Sequence, residues 1–306
     1  MIQVRVSHSE ADDLRSLEIY NAVWPHDAFA LEDANAFKAS LTAADDHVAR
    51  LDGDDVGSAF TGIRPHRPDV VFGPITVLAE HRRRGVGTAL YEAASAWTGA
   101  RGLDAIEAFV DEDDAASFRF AEHRGFSEIE RNGRLILDLT DLRPPEIAPP
   151  AGIEIVTWAE RPELARGMYE VACEAYPDIP GQEEDLIESF EDWLEHDMSA
   201  PGDRPEATFV ALAGGEVVGF AKFSLTTARP TTAYHDITGV KRRWRGRGIA
   251  GALKRAQIGW AKEAGYALLQ TGNEVRNTPI LRLNERLGYK AAPGRILLRG
   301  PLSAGA

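Results

Sequence analysis

The chain is poor in cysteine, in long apolar runs and in net positive charge. Cys173 is the single cysteine among 306 residues, so no disulfide can form within the chain, and a reducing, cytoplasmic setting is expected. No apolar run reaches the length of a membrane-spanning helix, and the first residues, MIQVRVSHSEADD, lack the basic and apolar segments of a signal peptide. The sequence therefore predicts a protein without a membrane partner.

The charge is acidic and unevenly distributed. Lysine and arginine together number 34 against 48 aspartate and glutamate residues, which gives a net charge of −14. Residues 1–150 hold 15 basic and 27 acidic side chains, whereas residues 151–306 hold 19 and 21. Because an acidic surface repels phosphate backbones, no nucleic-acid partner is expected. The charge is interpreted mainly as favouring solubility, with attraction of cationic substrates as the alternative.

Two glycine-rich basic stretches are the strongest local pattern. Arg82–Thr88 reads RRRGVGT, and Arg245–Gly251 is the end of the run RRWRGRGIAG; each follows a strand-like run and opens a helix-like run. A glycine-rich turn at a helix start presents free backbone N–H groups, and the helix dipole adds positive potential there. Each stretch is therefore predicted to hold a phosphate or pyrophosphate. We call them the first anion loop (Arg82–Thr88) and the second anion loop (Arg245–Gly251).

The surroundings of the two anion loops form an internal repeat. Residues 77–126, aligned without gaps on residues 240–289, share twelve identical positions, whereas ordinary composition gives about three or four by chance. Both halves are predicted to follow the order β-α-α-β-β-β-α-β-α-β-β, and the first half is predicted to end in a hairpin that turns at Asn132–Gly133. The proline-rich run 142–152 is the predicted linker, so domains are expected at 1–141 and 153–306.

A nicotinamide dinucleotide is one candidate for the bound anion. Gly246–Gly251 fits the pattern GxGxxG that is typical of dinucleotide-binding folds. The upstream copy keeps neither the first nor the third glycine, and no alternating βαβ series follows. Neither copy contains the Gly-Lys-Ser/Thr of a Walker A loop. An oxidoreductase is therefore disfavoured.

A second pattern, Arg-x-x-Gly-x-Gly/Ala after a strand that ends in valine, fits both copies. The pattern is present at Arg82, Gly85 and Gly87, and again at Arg245, Gly248 and Ala250. With the element order and the repeat, it resembles the GCN5-related N-acetyltransferase (GNAT) family, in particular its tandem members with a mycothiol synthase-like arrangement. The resemblance implies an α/β fold (α+β, mixed sheet) in two tandem domains, and acetyl-CoA as cofactor. The implied cofactor-binding residues are Val77, Arg82, Arg83, Arg84, Gly85, Val86, Gly87, Thr88, Val240, Arg245, Gly246, Arg247, Gly248, Ile249, Ala250, Gly251 and Asn277.

The resemblance also directs attention to the chemistry of the second half. Members of the family often carry an Asn that opens the last helix, matched by Asn277, and a proton-donating Tyr seven residues later. That tyrosine is absent: Asn284 occupies the position in the second half and Ala121 in the first. Asn284 could bond the sulfur but cannot usefully protonate it. Asp236 is predicted to share a strand face with Thr238 and Val240, where its carboxylate could serve as general base or could instead cap or pair structurally; Glu274 is the second candidate base.

The resemblance also implies that the acceptor binds at the first two helices of the second half and the loop between them. There Tyr176, Asp178 and the acidic residues 183–185 could bind a cationic amine, or simply form a solvated helix start. The expected function is transfer of an acetyl group from acetyl-CoA to the amine of a small molecule by direct attack, catalysed by the second half. Acetylation of a protein amine and a non-enzymatic acyl-CoA sensor are the alternatives. No metal is expected, and both a monomer and a homodimer remain open.

Overall fold

The computed structural model describes residues 1–180 and 188–304, so the acidic residues 183–185 lie outside the described part. The elements of the first half, in order, are β1 (Ile2–Val6), α1 (Glu10–Val23), α2 (Leu31–Ala39), β2 (Ala43–Leu51), β3 (Asp54–Arg64), β4 (Arg67–Phe72), β5 (Ile75–Val77), α3 (Val86–Gly99), β6 (Ala105–Asp111), α4 (Ala115–Glu122) and β7 (Ser127–Asp138). They are followed by β8 (Ile153–Thr157), α5 (Ala165–Ala175), α6 (Phe190–His196), β9 (Phe209–Ala213), β10 (Glu216–Ser224), β11 (Thr232–Val240), α7 (Ile249–Glu263), β12 (Leu268–Glu274), α8 (Thr278–Arg286) and β13 (Lys290–Pro301). None of the helices among these residues is long and apolar enough to cross a membrane.

The chain forms two compact units, and the sheet of each ends in a strand that comes from the other half of the sequence. The first unit comprises Met1–Arg131 and Gly294–Ala306, and the second comprises Asn132–Pro293. In the first unit the strand order is β1-β2-β3-β4-β6-β13, with β5 on β3. In the second it is β7-β12-β11-β10-β9-β8. Both are mixed sheets, because β4 runs parallel to β6 and β11 runs parallel to β12 while the other pairs are antiparallel.

The end of the first half differs from the sequence-based prediction. No hairpin turns at Asn132–Gly133; β7 continues straight through both residues, which pair with Glu274 and Asn273 of β12. An Asn-Gly hairpin turn needs positive φ at both central residues, and neither residue has one. The reason is the partner: β7 pairs with a strand of the other repeat, so its two halves are not free to fold onto each other.

Helices cover both faces of the second unit's sheet. On one face, α5 and α6 pack through Met168, Val171 and Trp193 onto Val210 and Phe220. On the opposite face, α7 packs in two groups of buried apolar residues that include Leu253 and Ile258. Side chains alternate between the faces along each strand, so the position of a residue on β11 decides whether it meets α5 and α6 or α7.

Candidate active site

The backbone of both anion loops has the same unusual conformation. In the first, Arg83 has φ 62° and Gly85 has φ 89°. In the second, Gly246 has φ 73° and Gly248 has φ 88°. Positive φ costs a residue with a Cβ free energy, because its side chain crowds the backbone, and Arg83 bears that cost. Repetition of this geometry in two copies shows that the loop shape matters more than the individual side chains.

The two loops present unoccupied backbone donors. The first intrahelical bonds run from Ala89 N to Gly85 O and from Ala252 N to Gly248 O, each at 3.1 Å. In the part of the chain that the structure describes, no acceptor bonds the amides of residues 83–88 or 246–251. Successive amides around a positive-φ turn at the start of a helix form a concave anion site. The loops can therefore bind an anion through the backbone alone.

The first arginine of each loop has a structural role. Arg82 Nε donates to Val77 O at 3.1 Å, and Arg245 Nε donates to Val240 O at 2.9 Å. Their Nη1 atoms pair with Asp114 at 3.0 Å and with Asp178 at 2.7 Å. These contacts tie each loop back to the strand that precedes it. The repeated arginine thus shapes the loop, while Arg84 pairs with Asp52 and Arg247 lies over the Trp244 ring.

Beside each loop, the two parallel strands of the sheet separate. In the second unit, β11 and β12 pair from Thr232–Leu268 as far as His235–Thr271. In the first unit, β4 and β6 pair through Phe72–Glu107, and Gly73 N still reaches Glu107 O at 2.9 Å. Beyond these points no further residue pairs join the two strands in the described part of the chain, although β11 continues to Val240. The strand backbone that leads to each anion loop is therefore open on that side.

A β-bulge lies at the point where β11 leaves β12. Lys222 pairs with Ile237 and Phe223 with His235, so Asp236 is an extra residue on β11. Beyond the bulge, Ile237 packs on the α5–α6 side and Val240 packs on the α7 side. The prediction that Asp236 shares a face with Thr238 and Val240 is therefore wrong, because simple alternation is interrupted at the bulge.

Asp236 belongs to a group of charged residues beneath α6. Its Oδ2 atom lies 3.0 Å from Nζ of Lys222, which also donates to Asp203 Oδ1 at 2.7 Å and to the Asp197 carbonyl. The Lys222 and Asp203 side chains are 5% and 6% exposed, but that of Asp236 is 41% exposed. Burial alone would lower the pKa of Lys222, yet the charges of Asp236 and Asp203 raise it well above its usual range. The lysine is therefore a cation, and only one of its carboxylates reaches solvent.

Two further acidic side chains in this group hold their protons more tightly than free aspartate. Burial raises the pKa of Asp197, and the charge of Asp236 raises it further. Burial also raises the pKa of Asp203, although Lys222 opposes the shift. Asp236 is thus the accessible carboxylate of a buried acidic group that contains a single lysine. Sequence analysis missed Lys222, Asp197 and Asp203; a lone lysine inside the apolar strand EVVGFAKFS was the available signal.

The predicted acceptor residues have partners of their own. Tyr176 donates its hydroxyl to Asp197 Oδ2 at 2.9 Å and accepts from Trp193 Nε1 at 3.3 Å, so it joins the same group. Burial raises the pKa of Tyr176 well above its usual range. Asp178 instead bonds Arg242 and Arg245, and the hydrogen bond from Arg242 is the main reason that the pKa of Asp178 falls to about 2. Tyr176 lies at the charged group, and Asp178 braces the second anion loop.

The other predicted catalytic residues lie at the ends of β12 and α8. Glu274 is buried and bonds both Nε of Arg276, at 2.9 Å, and the Arg276 backbone N–H, at 2.7 Å. Asn284 is fully buried and donates to Asn273 Oδ1 at 2.8 Å, while its own Oδ1 has no partner among the described residues. Asn277 occupies the cap position of α8 without a side-chain cap bond. The carboxylate of Glu274 is thus paired with Arg276, whereas the Oδ1 atom of Asn284 can still accept a hydrogen bond.

Comparison with known proteins identifies this arrangement. The family model described as the acetyltransferase (GNAT) family matches residues 11–126 and, a second time, residues 165–289. The chain belongs to the GNAT family. Both GNAT matches contain an anion loop, which confirms the tandem organisation that the repeat predicts, and the protein is an N-acetyltransferase that uses acetyl-CoA. The open amides of the anion loops fit the pyrophosphate of that cofactor.

Individual relatives of this GNAT protein cover most of its length. It is 26% identical to a mycothiol acetyltransferase of Nocardiopsis dassonvillei over 79% of this chain and 78% of the relative. A GCN5-related N-acetyltransferase from Sphaerobacter thermophilus matches with a TM-score of 0.78 and 21% identity, over 98% of this chain and 95% of the other. A tandem GNAT protein from the clavulanic acid biosynthesis pathway matches with a TM-score of 0.77 and 21% identity, over 98% of both chains. These structural matches confirm the mixed α/β fold.

Proposed function

We propose that the second unit transfers an acetyl group from acetyl-CoA to the amine of a small molecule, with Asp236 as general base. The observation that carries this proposal is the bulge on β11. It brings one half-exposed carboxylate to the point where β11 and β12 separate. When the alignment of the repeat is continued backwards from Val77 and Val240, the residue matched to Asp236 is Gly73, which has no side chain for such a role. The first unit is assigned a structural, regulatory or weakly active role.

Cofactor binding is assigned to both anion loops. The amides of residues 83–88 and 246–251 would receive the pyrophosphate, and the open strand backbone ending at Val77 and Val240 would lie along the cofactor arm. Acetyl-CoA, when bound, supplies an activated acetyl thioester that a neutral amine can attack directly. Asn277 and Asn284 stand near the ends of α8, and the free Oδ1 of Asn284 is available as a polar contact.

The chain's own contribution to the chemistry is to remove a proton. An alkylammonium ion has a pKa of about 10 and must lose a proton before it becomes a nucleophile. Asp236 is accessible enough to accept that proton, directly or through water, whereas Glu274 is buried against Arg276. No tyrosine stands at position 284, so this chain has no side-chain acid there for the departing thiol. Because a thiol is a fairly acidic leaving group, turnover does not require one.

The acceptor is assigned from charge and from the relatives. Asp203 and Asp236 pair with Lys222, and Asp197 lies beside them; this acidic group, with the carboxylate of Asp236 half-exposed, favours a cationic amine. The similar proteins include a mycothiol acetyltransferase, a protein of the clavulanic acid biosynthesis pathway and a fungal glucosamine N-acetyltransferase region, whose reactions or pathways concern small molecules. We therefore place small-molecule amines before protein amines.

The experiment is CoA thiol release from acetyl-CoA with glucosamine, putrescine, lysine and a lysine-containing peptide, for the wild type and two variants. Asp236→Asn should lower the rate with the preferred amine by about 10²–10⁴-fold, which is the usual contribution of a general base. Asp69→Asn removes an exposed carboxylate from β4, the corresponding strand of the first unit, and should leave the rate unchanged. Full activity of Asp236→Asn would exclude it as the base, and turnover with the peptide alone would exclude a small-molecule acceptor.

A further inference from the structure

The charged group beneath α6 assigns a role to the buried lysine itself. We infer that Lys222 is a positioning residue that holds the carboxylate of Asp236 in place at the bulge through a direct ion pair. This inference rests on the proposed function of Asp236 as the base. It goes beyond that function by identifying the residue that fixes the position of the Asp236 carboxylate beside the other acidic side chains.

The first step of the argument is geometric. Lys222 pairs with Ile237 across the ladder, next to the extra residue Asp236, and its ammonium lies 3.0 Å from Asp236 Oδ2. Asp203 and the Asp197 carbonyl occupy its other donor directions. A lysine ammonium has three donors; two are directed at Asp197 and Asp203 in the stretch that follows α6, and the third is directed at Asp236 on β11. Asp203 and Asp197 therefore fix the position of the ammonium group, and the ammonium group in turn holds the carboxylate of Asp236.

The second step is electrostatic. Asp197 comes from the end of α6, Asp203 from the loop that follows, and Tyr176 from the turn after α5; Glu188 acts on Asp197 from further away. Tyr234 shares the strand of Asp236, two residues earlier. Three carboxyl groups in one partly buried site repel each other, and the cheapest relief is for one of them to take a proton. The single ammonium offsets part of that repulsion, and it does so from a position in direct contact with Asp236 and Asp203.

The third step is the matching position in the first unit. Gly57 pairs with Val77, as Gly219 pairs with Val240, so Phe60 corresponds to Lys222. Phe60 packs against Phe37 and Phe72 with ring centroids 6.2 and 5.8 Å apart. Where the repeat lacks the aspartate, it also lacks the lysine. The two charged residues therefore occur together as a pair added to the same framework.

The test follows the titration of Asp236 itself in the full-length protein labelled with 13C at the aspartate carboxyl carbons. The Asp236 signal is the one that disappears in Asp236→Asn. In Lys222→Met its titration midpoint should move to higher pH by about 1–3 units, because an opposite charge at this distance has an effect of that size. Lys222→Arg keeps the charge and should leave the midpoint within about half a unit of the wild type.

A second variant separates this effect from misfolding. Lys222→Met leaves Asp203 buried without its cation, whereas Lys222→Met with Asp203→Asn removes the buried pair together. The same upward movement in the double variant, with a wild-type circular dichroism spectrum, supports the inference. An unchanged midpoint in both Met variants overturns it. If the midpoint moves but Asp236→Asn still acetylates amines at the wild-type rate, the positioning role of Lys222 stands and the assignment of Asp236 as the base fails. If the midpoint does not move but Asp236→Asn loses activity, Asp236 remains the base and the positioning role of Lys222 is excluded.

Discussion

The two units share an anion loop but differ at the place where their strands separate. In the first, Phe72, Gly73 and Pro74 stand where the second has His235, Asp236 and Ile237. Proline cannot donate to the ladder, and the strand of the first unit is accordingly divided into β4 and β5, whereas β11 runs unbroken through its bulge. The loop geometry is therefore common to both units, and the residues at the separation point are where the units differ.

A second difference lies at the end of the next strand. Asp111 at the end of β6 pairs with Arg295 of β13 at 3.3 Å, and Arg295 also bonds Asp27 at 2.7 Å. Asp27 in turn accepts from Tyr20 at 2.6 Å, so this network spans both ends of the first unit's sequence. The matched residue Glu274 pairs locally with Arg276. At this position the first unit has a network of ion pairs that joins distant residues, whereas the second has one local ion pair. This difference favours a structural role for the first unit.

The same substitution made in each anion loop should produce the largest difference in activity between the two units. Gly248→Glu places a carboxylate beside the amides that would receive the pyrophosphate, and we expect acetyl transfer to fall by at least about 10²-fold, given the loss of an anion site worth several hydrogen bonds. Gly85→Glu makes the same change in the first unit and should leave most of the activity. The measurement is CoA thiol release together with the stoichiometry of CoA binding by calorimetry.

Backbone strain is equal in this pair of variants, which makes each the control of the other. Both glycines have φ close to 90°, so the backbone cost of a side chain is similar at the two positions, although an added Cβ would lie 3.2 Å from Ile2 at Gly85 and 3.7 Å from Pro150 at Gly248. CoA stoichiometry should drop from two to one in each variant. If Gly85→Glu abolishes turnover and Gly248→Glu does not, the catalytic unit has been assigned to the wrong half.

The anion loops could be predicted from sequence because their signal is local and repeated. A glycine at positive φ before a helix, such as Gly85 or Gly248, follows from a few neighbouring residues. The charged group could not be predicted, because Lys222 meets Asp203 and Asp197 only after the chain has folded. The bulge likewise depends on how β10 pairs with β11, and it changed the face of Asp236. The straight course of β7 depends on a partner strand more than 130 residues away in sequence.

The two units also differ in stability at one matched position, where α7 has a buried lysine and α3 has a tyrosine. Lys254 is 1% exposed, and burial lowers its pKa from 10.5 to about 7; the matched residue of α3 is Tyr91, which donates to Pro301 O at 2.8 Å. Because the folded pKa lies below the unfolded one, the lysine costs stability that grows as the pH falls from 10.5 to 7 and stays constant below. Lys254→Met should raise the free energy of unfolding at pH 6 by about 3–5 kcal/mol, at 1.36 kcal/mol per pKa unit.

The measurement for Lys254 is urea denaturation at pH 6 and pH 10.5. The gain should shrink towards zero at the higher pH, where the unfolded lysine also loses its charge. Arg255→Met, the neighbouring half-buried residue, removes a cation that stays in contact with solvent and should change the stability little at either pH. An equal gain at both pH values would mean that packing, and not the charge, sets the effect, since Lys254 also faces the Tyr289 ring at 5.4 Å.

The smallest expected effect compares the two aspartates that brace the loop arginines. Asp178 bonds Arg242 and Arg245, whose side chains are 56% and 40% exposed, so Asp178→Ala should cost only about 0.5–1 kcal/mol at pH 7. Asp114 bonds Arg82 and also caps α4 through Ala116 N and Ser117 N at 3.1 and 3.0 Å, so Asp114→Ala should cost about 1 kcal/mol more.

The pH dependence of the Asp178 effect provides its check. The pKa of Asp178 is about 2 in the folded chain, below the ordinary 3.8, so its contribution is complete above the ordinary value and is lost as the pH falls towards 2. The stability difference between Asp178→Ala and the wild type, measured by urea denaturation, should therefore be constant from pH 7 to pH 5 and close to zero near pH 2. A difference that persists at pH 2 would show that Asp178 braces the second anion loop through its shape and not through its charge.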